Sequence, residues 1–156
     1  MKIHSANLIG DGLTIAIVAG RFNDAIVKNL VDGAHDRLTR LGVEDDNIEL
    51  IWVPGAYEIP LAAKVAANTG RFDAVLCLGA VIRGATAHFD FVAGQAAAGC
   101  TSVSLDTGIP TIFGVLTPDT IEQALERAGT KAGNKGAETA EAAIEMANLI
   151  RLLAKR

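Results

Sequence analysis

Apolar residues along this chain follow two alternating spacings. Short, nearly continuous apolar runs are separated by longer stretches in which apolar residues recur every three or four positions. The continuous runs are typical of strands that are buried on both faces, and the wider spacing is typical of amphipathic helices. We predict strands at residues 14–19, 47–53, 72–82 and 111–116, and helices at residues 24–41, 57–68, 88–105, 118–128 and 137–154.

Several helix ends carry residues that commonly cap helices. Asn23 or Asp24 can cap the first helix, and Gly42 can end it. Thr117 is predicted to cap the fourth helix, with Pro118 at the first helical position. The predicted buried face of the last helix comprises Ala140, Ala143, Ile144, Ala147, Ile150 and Leu153.

The predicted elements follow the order β-α-β-α-β-α-β-α-α. This alternation, with strands that are apolar throughout, indicates a parallel sheet covered by helices on both faces. We therefore predict one α/β domain over residues 1–156, a three-layer flavodoxin-like sandwich with a four-stranded parallel core sheet. Residues 2–8 have weak strand character and no place in that core. We expect this N-terminal segment to add to the sheet of a neighbouring subunit.

The net charge and the distribution of apolar residues exclude some classes of molecule as binding partners of this protein. The net charge of −4 argues against nucleic acid or an anionic membrane surface as a partner. The N-terminal residues contain no apolar signal-peptide core, and no apolar run approaches the roughly 20 residues of a membrane span. We expect a cytoplasmic protein with small-molecule substrates and no membrane partner.

The cysteines and histidines do not suggest a metal site. Cys77 lies in a predicted buried strand and Cys100 in a helix rich in small residues, so both are interpreted as core residues. His4, His35 and His88 lack the paired spacing of metal ligands. No lysine stands alone on an apolar strand, where a lysine that forms a Schiff base is expected.

The segment after the third strand carries the clearest chemical signal. It forms a turn of small residues, Gly84, Ala85 and Thr86, and His88 stands at the start of the next helix. Free backbone N–H groups and the helix dipole favour an anion such as phosphate at this place. A histidine beside it can transfer protons near neutral pH, although a lone histidine is also often structural. The segment therefore predicts a phosphate site with an acid–base residue.

Two further loops follow strands at the same edge of the predicted sheet. Phe22, after the first strand, is either a platform for stacking a flat heterocycle or a cap on the core. After the second strand, Gly55 lets the backbone approach a ligand, and Glu58 can accept hydrogen bonds from substrate hydroxyls. Glu58 also suits the first turn of a helix, where a negative charge is favourable.

Four later residues have an ordinary structural interpretation, and one of them, Arg127, also has a functional interpretation at this point. Phe113 lies inside the fourth strand, where core packing is the ordinary role. Arg127 ends a helix, where a cation is favourable, and can also clamp a phosphate. Lys131 and Lys135 lie in the next loop, where solvated surface charge is the ordinary interpretation.

Taken together, these motifs resemble the lumazine synthase family of riboflavin biosynthesis. Each motif alone is modest, but together they occur in the family's order and spacing over nearly the whole chain. The matching segments are residues 20–23 (GRFN), 52–60 (WVPGAYEIP), 78–92 (LGAVIRGATAHFDFV), 113–117 (FGVLT) and 122–136.

The resemblance implies a transferase that condenses 5-amino-6-(D-ribitylamino)uracil with 3,4-dihydroxy-2-butanone 4-phosphate. The amine of the uracil attacks the ketone, an imine forms, phosphate leaves, and the second nitrogen closes the ring with loss of water. The product, 6,7-dimethyl-8-ribityllumazine, arises in the penultimate step of riboflavin biosynthesis. Because the substrate brings its own amine, the resemblance implies no cofactor.

The resemblance also implies roles for individual residues. His88 corresponds to the proton-transfer residue. The residues expected to bind the ribitylaminouracil are Phe22, Ala56, Tyr57, Glu58, Ala80, Val81, Ile82 and Phe113. The residues expected to bind the butanone phosphate are Ala85, Thr86, Arg127 and Lys135. Phe113 and Arg127 match residues that the adjacent subunit contributes.

A site shared between subunits requires an oligomer, and the resemblance implies a homopentamer. The loop at residues 129–136 is compact, as in family members whose pentamers assemble into an icosahedral capsid, whereas longer loops accompany isolated pentamers. We expect an icosahedral shell, with riboflavin synthase as a partner that it could enclose.

Two alternative functions stay open on the sequence alone. A non-catalytic flavodoxin-like protein that binds a flavin or a mononucleotide would share the fold. A shell-forming protein without activity would share the assembly, although Phe22, Glu58, Thr86, His88 and Arg127 are all present.

Overall fold

The computed structural model describes residues 1–154. Its strands are β1 (Ile15–Gly20), β2 (Ile48–Val53), β3 (Ala74–Ala80), β4 (Thr111–Leu116), β5 (Ala128–Thr130) and β6 (Gly133–Asn134). Its helices are α1 (Asp24–Arg40), α2 (Ile59–Asn68), α3 (His88–Thr107), α4 (Ile121–Glu126) and α5 (Lys135–Ala154). None of these helices is long and apolar enough to cross a membrane, within the residues described.

The first four strands form one parallel sheet in the order β2-β1-β3-β4. β1 pairs with β2 from Ile15 opposite Ile48 to Gly20 opposite Val53, and its other edge pairs with β3. The chain therefore moves from β1 to one neighbour and then returns to the other, so the strand order reverses at β1. Ligands of parallel sheets bind at the carboxyl ends of the strands where this reversal occurs.

Helices cover both faces of the sheet. Along β1, Ile15 and Ile17 pack in the core beneath α1 and α5, whereas Ala16 and Val18 pack in the core beneath α2 and α3. Every residue of β1 and β3 is buried, which explains why both strands are apolar throughout. The predicted three-layer flavodoxin-like α/β fold is confirmed.

The last helix packs closely against α1. A Cβ atom at Gly136 would collide with the backbone carbonyl of Leu30 in α1. The Asn134 side chain joins the same helices, because its Nδ2 donates to the Asn29 carbonyl (2.9 Å). Its Oδ1 accepts from the Ala137 N–H (3.2 Å). These contacts fix the position at which α5 begins.

The predicted start of the fourth helix is wrong. Thr120, not Thr117, is the cap of α4, since its Oγ1 accepts a hydrogen bond from the Gln123 N–H (3.1 Å). Pro118 lies before the helix, and its carbonyl accepts from the Arg83 N–H (3.0 Å). This bond prolongs the pairing of β3 with β4, so the chain stays extended where the sequence predicted a helical turn.

Asn23 stands before α1, but neither it nor Asp24 caps the helix with its side chain. The Asn23 backbone is left-handed (φ 61°, ψ 44°), which is uncommon for a residue other than glycine. Its Nδ2 donates to the Ala80 carbonyl (2.9 Å), so the amide joins the ends of β1 and β3 instead. Asp24 forms an ion pair with Lys28 (2.8 Å). Asn23 therefore occupies the predicted capping position, where its carbonyl accepts from the N–H groups of Ile26 and Val27, but its side chain does not cap the helix. The predicted helix end is confirmed at Gly42 (φ 97°).

Other features of the elements also differ from the prediction. β3 ends at Ala80, and the glycine- and lysine-containing loop holds the short hairpin of β5 and β6. The buried face of α5 ends at Ala147, since Ile150 and Leu153 are 41% and 56% exposed. α5, with 20 residues, is about 30 Å long, whereas strands of six residues span about 20 Å. The last turns of α5 therefore extend beyond the sheet.

The N-terminal segment has no regular secondary structure over residues 1–10. Its end lies against α5, because the Asn148 Nδ2 donates to the carbonyls of Asn7 (3.2 Å) and Ile9 (2.9 Å). The addition of this segment to a neighbouring sheet stays a prediction. β2, at one edge of the sheet, has a free edge where a strand can pair.

Both cysteines are buried, as the sequence predicted. Cys77 lies in β3 and Cys100 in α3. The interaction with the Cys100 thiol and burial together raise the pKa of the Cys77 thiol. Because the thiolate is disfavoured, Cys77 is a poor nucleophile and serves the core.

Candidate functional site

A cleft of about 650 Å³ opens at the carboxyl ends of β1, β2 and β3, where the strand order reverses. This is the His88 cleft. It brings together most of the residues that the sequence predicted for ligand binding. Those that line it are Phe22, Ala56, Tyr57, Glu58, Ala80, Val81, Ile82, Thr86 and His88.

Phe22 forms one wall of the His88 cleft. Its N–H donates to the Pro54 carbonyl (3.1 Å), and the Arg21 N–H donates to the Val53 carbonyl (2.8 Å). The pairing of β1 with β2 thus continues past the end of β1 and holds Phe22 in place. Phe22 is 74% exposed, so it does not cap the core. Its ring is available for stacking on a flat ligand.

Glu58 is held close to Phe22 by a short 3-10 turn, Ala56–Glu58. A Cβ atom at Gly55 would lie 3.4 Å from the Glu58 Oε2 and 3.9 Å from the Phe22 Cβ. Gly55 therefore leaves a gap between the ring and the carboxylate. The Glu58 side chain is exposed, and its carboxylate accepts no hydrogen bond within residues 1–154. Both carboxylate oxygens are therefore available to ligand hydroxyls.

The backbone at residues 80–82 crosses the base of the cleft, but part of it is already bonded. The Ala80 carbonyl accepts from Asn23, and the Val81 N–H donates to the Leu116 carbonyl (2.8 Å). The Ile82 N–H and the carbonyls of Val81 and Ile82 have no partner in the described part of the chain. These three groups are the ones that can read the polar edge of a ligand.

The turn after β3 presents main-chain donors without partners. The N–H groups of residues 84–87 donate to no group within residues 1–154. α3, 20 residues long, begins directly after them, so its dipole adds to the attraction of an anion. Thr86 lines the cleft, whereas Ala85 lies in the turn outside the lining. Residues 84–87 form the anion turn, and Ala85 contributes only a backbone group to it.

His88 is the first residue of α3 and faces the same cleft. It is exposed, and its imidazole forms no hydrogen bond with any residue that the structure describes. A ring without a protein partner can give a proton to a ligand or take one from it. The structure therefore places a free imidazole directly beside the anion turn.

A second cleft, of about 590 Å³, lies at the carboxyl end of β4, beside α4 and the start of α5. This is the Arg127 cleft. It is lined by Phe113, Arg127 and Lys135, together with Val115, Leu116, Thr117, Pro118, Gln123 and Glu126.

The hairpin of β5 and β6 brings the two cations of the second cleft together. The Lys135 N–H donates to the Arg127 carbonyl (2.8 Å), so the two backbones lie side by side. The Lys135 Nζ forms an ion pair with Glu138 (3.0 Å). Arg127 is exposed, and its guanidinium has no ion-pair partner among the residues described. Arg127 is therefore the more available of the two for a ligand anion. Lys131 lines neither cleft.

The two clefts share no lining residue. A single chain therefore does not bring Phe113, Arg127 and Lys135 to His88. The chemistry of the two clefts is complementary. The lining of the His88 cleft includes no lysine or arginine, whereas the Arg127 cleft carries both.

Sequence reasoning missed three apolar residues of the His88 cleft: Phe89, Phe91 and Val92. Helical spacing could have identified Phe91, because residues three apart on a helix share a face, and Phe91 is three residues after His88. Asn23 also lines the cleft and was interpreted only as a cap. Among residues 1–154, no group of three or more histidine, cysteine or acidic side chains is arranged to hold a metal ion.

Residues 12–151 match the family of 6,7-dimethyl-8-ribityllumazine synthase. The match extends from before β1 to near the end of α5, so it includes every residue of both clefts. This family consists of transferases of riboflavin biosynthesis, and the parallel sheet with helices on both sides is consistent with its fold. The chain belongs to the 6,7-dimethyl-8-ribityllumazine synthase family.

Proposed function

We propose that this protein condenses 5-amino-6-(D-ribitylamino)uracil with 3,4-dihydroxy-2-butanone 4-phosphate. The products are 6,7-dimethyl-8-ribityllumazine, phosphate and water. The family match over residues 12–151 is the observation that carries this proposal. The His88 cleft supports it, because the cleft combines a stacking ring, a free carboxylate, a turn of unpaired N–H groups and an imidazole.

The ribitylaminouracil fits the wall and base of the His88 cleft. The Phe22 ring would stack on the pyrimidine, and the free backbone groups of Val81 and Ile82 would bind its polar edge. Tyr57 and Glu58 would contact the ribityl chain, with the Glu58 carboxylate accepting hydrogen bonds from its hydroxyls. Ala80 and Ala56 would contribute close backbone contact rather than side-chain bonds.

The butanone phosphate fits the anion turn. The unpaired N–H groups of Ala85 and Thr86 would bind the phosphate oxygens, and the α3 dipole would favour their negative charge. In this position the ketone lies between the phosphate and the amine of the uracil. Holding two substrates together in this way can contribute roughly 7–11 kcal/mol to catalysis.

His88 would move the protons that the condensation requires. Formation of the imine transfers protons from the amine nitrogen to the ketone oxygen, which leaves as water. Loss of phosphate requires removal of a proton from the carbon beside the imine. Loss of phosphate leaves an enol at this carbon, which takes up a proton on the neighbouring carbon and becomes a new carbonyl. The second nitrogen attacks this carbonyl and closes the ring, with loss of a second water. A histidine beside the leaving phosphate suits each of these transfers.

We propose that the Arg127 cleft of an adjacent subunit completes the site. The His88 cleft has no cationic side chain in its lining, and a phosphate binds most tightly where Arg or Lys adds charge-assisted hydrogen bonds. Arg127 and Lys135 can supply this charge, and Phe113 can close over the heterocycle. The two halves would then meet only between chains.

A homopentamer, further assembled into an icosahedral shell, is the proposed quaternary structure. Several large apolar side chains on the helices that face outward are unburied in the single chain, among them Leu61, Val65 and Leu105, the last 81% exposed. Exposed apolar surface of this kind favours an interface between subunits. Riboflavin synthase is the proposed partner inside the shell. Sedimentation at the mass of a pentamer alone would exclude the shell.

A non-catalytic flavin- or mononucleotide-binding protein is the alternative function. The free imidazole beside the anion turn favours catalysis over binding alone. Tight binding of FMN, without turnover of the ribitylaminouracil, would favour the alternative.

The proposed function is tested by mixing the purified protein with both substrates. Lumazine absorbance and phosphate release are followed together against a mixture without protein. We expect lumazine to form faster than in the mixture without protein, with phosphate released in step. No acceleration by a folded, oligomeric sample would contradict the synthase and favour a binding or shell protein.

A further inference from the structure

Arg83 follows β3 and contacts two other segments of the chain at the edge of the His88 cleft. Its Nε donates to the Asp119 Oδ1 (2.9 Å), and its Nη1 donates to the Asp90 Oδ1 (3.3 Å). Its guanidinium carbon lies 4.2 Å from the centre of the Phe89 ring. Its N–H donates to the Pro118 carbonyl (3.0 Å). One side chain thus joins the end of β3, the first turn of α3 and the loop before α4.

The anion turn has few contacts of its own to hold it in place. Residues 84–87 are all exposed, their side chains are small, and their N–H groups have no partner within residues 1–154. A loop of this kind opens easily, and only conformations in which the N–H groups converge bind phosphate well. Some other group must restrict the turn if it is to bind tightly.

Arg83 is positioned to restrict the conformation of the anion turn. It stands directly before the anion turn, whereas Phe89 and Asp90 follow the turn after His88. The contacts of its guanidinium with these two residues therefore join the two ends of the turn. We propose that Arg83 is a positioning residue, which holds the anion turn in its phosphate-binding conformation through Phe89, Asp90 and Asp119. For its effect on turnover, this inference rests on the proposed function.

The effect of Arg83 should be local rather than global. Arg83, Asp90 and Asp119 are roughly half exposed or more, and exposed ion pairs add little to overall stability. Arginine can pair with two carboxylates and stack on a ring at once, because its guanidinium is planar with several donors. Lysine at this position can reach one carboxylate but cannot reproduce the stacking.

A direct contact of Arg83 with phosphate is the competing explanation. The two explanations differ in what Asp119 does. If Arg83 positions the turn, removing the Asp119 charge loosens the clamp and weakens phosphate binding. If Arg83 binds phosphate itself, removing that charge frees the guanidinium and leaves phosphate binding unchanged or stronger.

The experiment compares Arg83→Gln, Arg83→Lys and Asp119→Asn with the unaltered protein. Arg40→Gln is the matched control, because Arg40 forms an exposed ion pair with Asp36 at the far end of α1. The first measurement is hydrogen–deuterium exchange, without substrate, of the two hydrogen-bonded amides that flank the turn, those at positions 83 and 90. The second is KM and kcat for each substrate, and the third is the thermal midpoint.

We expect faster exchange of the amides at positions 83 and 90 in Arg83→Gln, with little change in the thermal midpoint. The kcat/KM for the butanone phosphate should fall by about 10- to 100-fold, as expected when a binding group is misplaced by roughly 1 Å. The KM for the ribitylaminouracil should change little. Asp119→Asn should shift the same quantities in the same direction by a smaller factor, Arg83→Lys should recover part of the loss, and Arg40→Gln should change none of them.

Two results would overturn the inference. The first is unchanged exchange of both flanking amides, at positions 83 and 90, in Arg83→Gln. The second is a loss of phosphate affinity in Arg83→Gln without any loss in Asp119→Asn, which would make Arg83 a direct ligand. The exchange measurement needs no substrate, so it tests the clamp even if the unaltered protein forms no lumazine. Failure of the proposed function would appear instead as absent turnover in every variant, the unaltered protein included.

Discussion

The His88 cleft and the Arg127 cleft both lie at carboxyl ends of parallel strands, but they offer a ligand different groups. The His88 cleft offers aromatic rings, one carboxylate and unpaired backbone N–H groups, on the segments that directly follow β1, β2 and β3. The Arg127 cleft offers cationic side chains on a short hairpin and the start of a helix. Backbone and rings give shape and orientation, whereas cations give charge.

This difference is the basis of the proposal that neither cleft alone is a complete site for a phosphorylated substrate and a heterocycle. The groups proposed to orient the reactants lie in the first cleft, and the cations proposed to neutralise the phosphate lie in the second. Under this proposal each chain carries two complementary halves that it cannot join itself. The comparison predicts that loss of a residue from the first half affects turnover and orientation, whereas loss from the second affects mainly the phosphorylated substrate.

His88→Ala should have the largest effect. A proton-transfer residue typically contributes at least about 100-fold to the rate, so we expect kcat to fall by about that factor. Turnover should persist, because the cleft still holds both substrates together. Steady-state kinetics against His35→Ala, an exposed histidine outside both clefts, would check this. Complete loss of activity in a folded His88→Ala variant would contradict it.

Arg127→Ala should raise the KM for the butanone phosphate by about 10- to 100-fold, the size of a lost hydrogen bond to a charged group. The KM for the ribitylaminouracil should change much less. Lys131→Ala is the control, since Lys131 lies on the same hairpin but lines neither cleft. An unchanged KM for the phosphorylated substrate would remove Arg127 from the site.

Phe22→Leu should raise the KM for the ribitylaminouracil by about 2- to 10-fold, because an aromatic pair contributes about 0.5–1.5 kcal/mol beyond its burial. The KM for the butanone phosphate, measured on the same preparation, is the internal control. Equal changes in both constants would indicate a general distortion of the cleft rather than the loss of stacking.

Co-expression of the His88→Ala and Arg127→Ala chains tests directly whether the halves meet between chains. In a randomly mixed oligomer, about a quarter of the sites would combine two intact halves, so activity should recover to about that fraction. The control is each of the two variants expressed alone and assayed at the same low concentration of the butanone phosphate. If the site were formed within one chain, the co-expressed mixture would show only the mean activity of the two variants expressed alone.

The sequence predicted the sheet, the helices that flank it and the central residues of the His88 cleft, because these follow from local patterns. Buried parallel strands are apolar throughout, and a turn of small residues before a helix leaves its N–H groups free. The β4 strand was predicted at its observed bounds for this reason.

Contacts between distant residues were not predictable in this way. Asparagine is a residue type that commonly caps helices, but the side-chain amide of Asn23 donates to the Ala80 carbonyl across the sheet. Threonine and proline are common at helix starts, but the segment of Thr117 and Pro118 is held extended by the Arg83 N–H. In each case a hydrogen bond between neighbouring strands prevailed over a local preference. The separation of Arg127 from His88 likewise depends on how the whole chain folds.

The unpaired N–H groups of the anion turn also determine which heritable changes the site can withstand. A backbone donor survives every substitution except one to proline, which alone lacks the N–H. Alanine and threonine codons are each a single nucleotide from a proline codon, so Ala85, Thr86 and Ala87 all stand one step from losing a donor. Most missense changes in this turn would alter a small side chain and spare the phosphate site. Its genetic vulnerability is thus concentrated in a single kind of replacement.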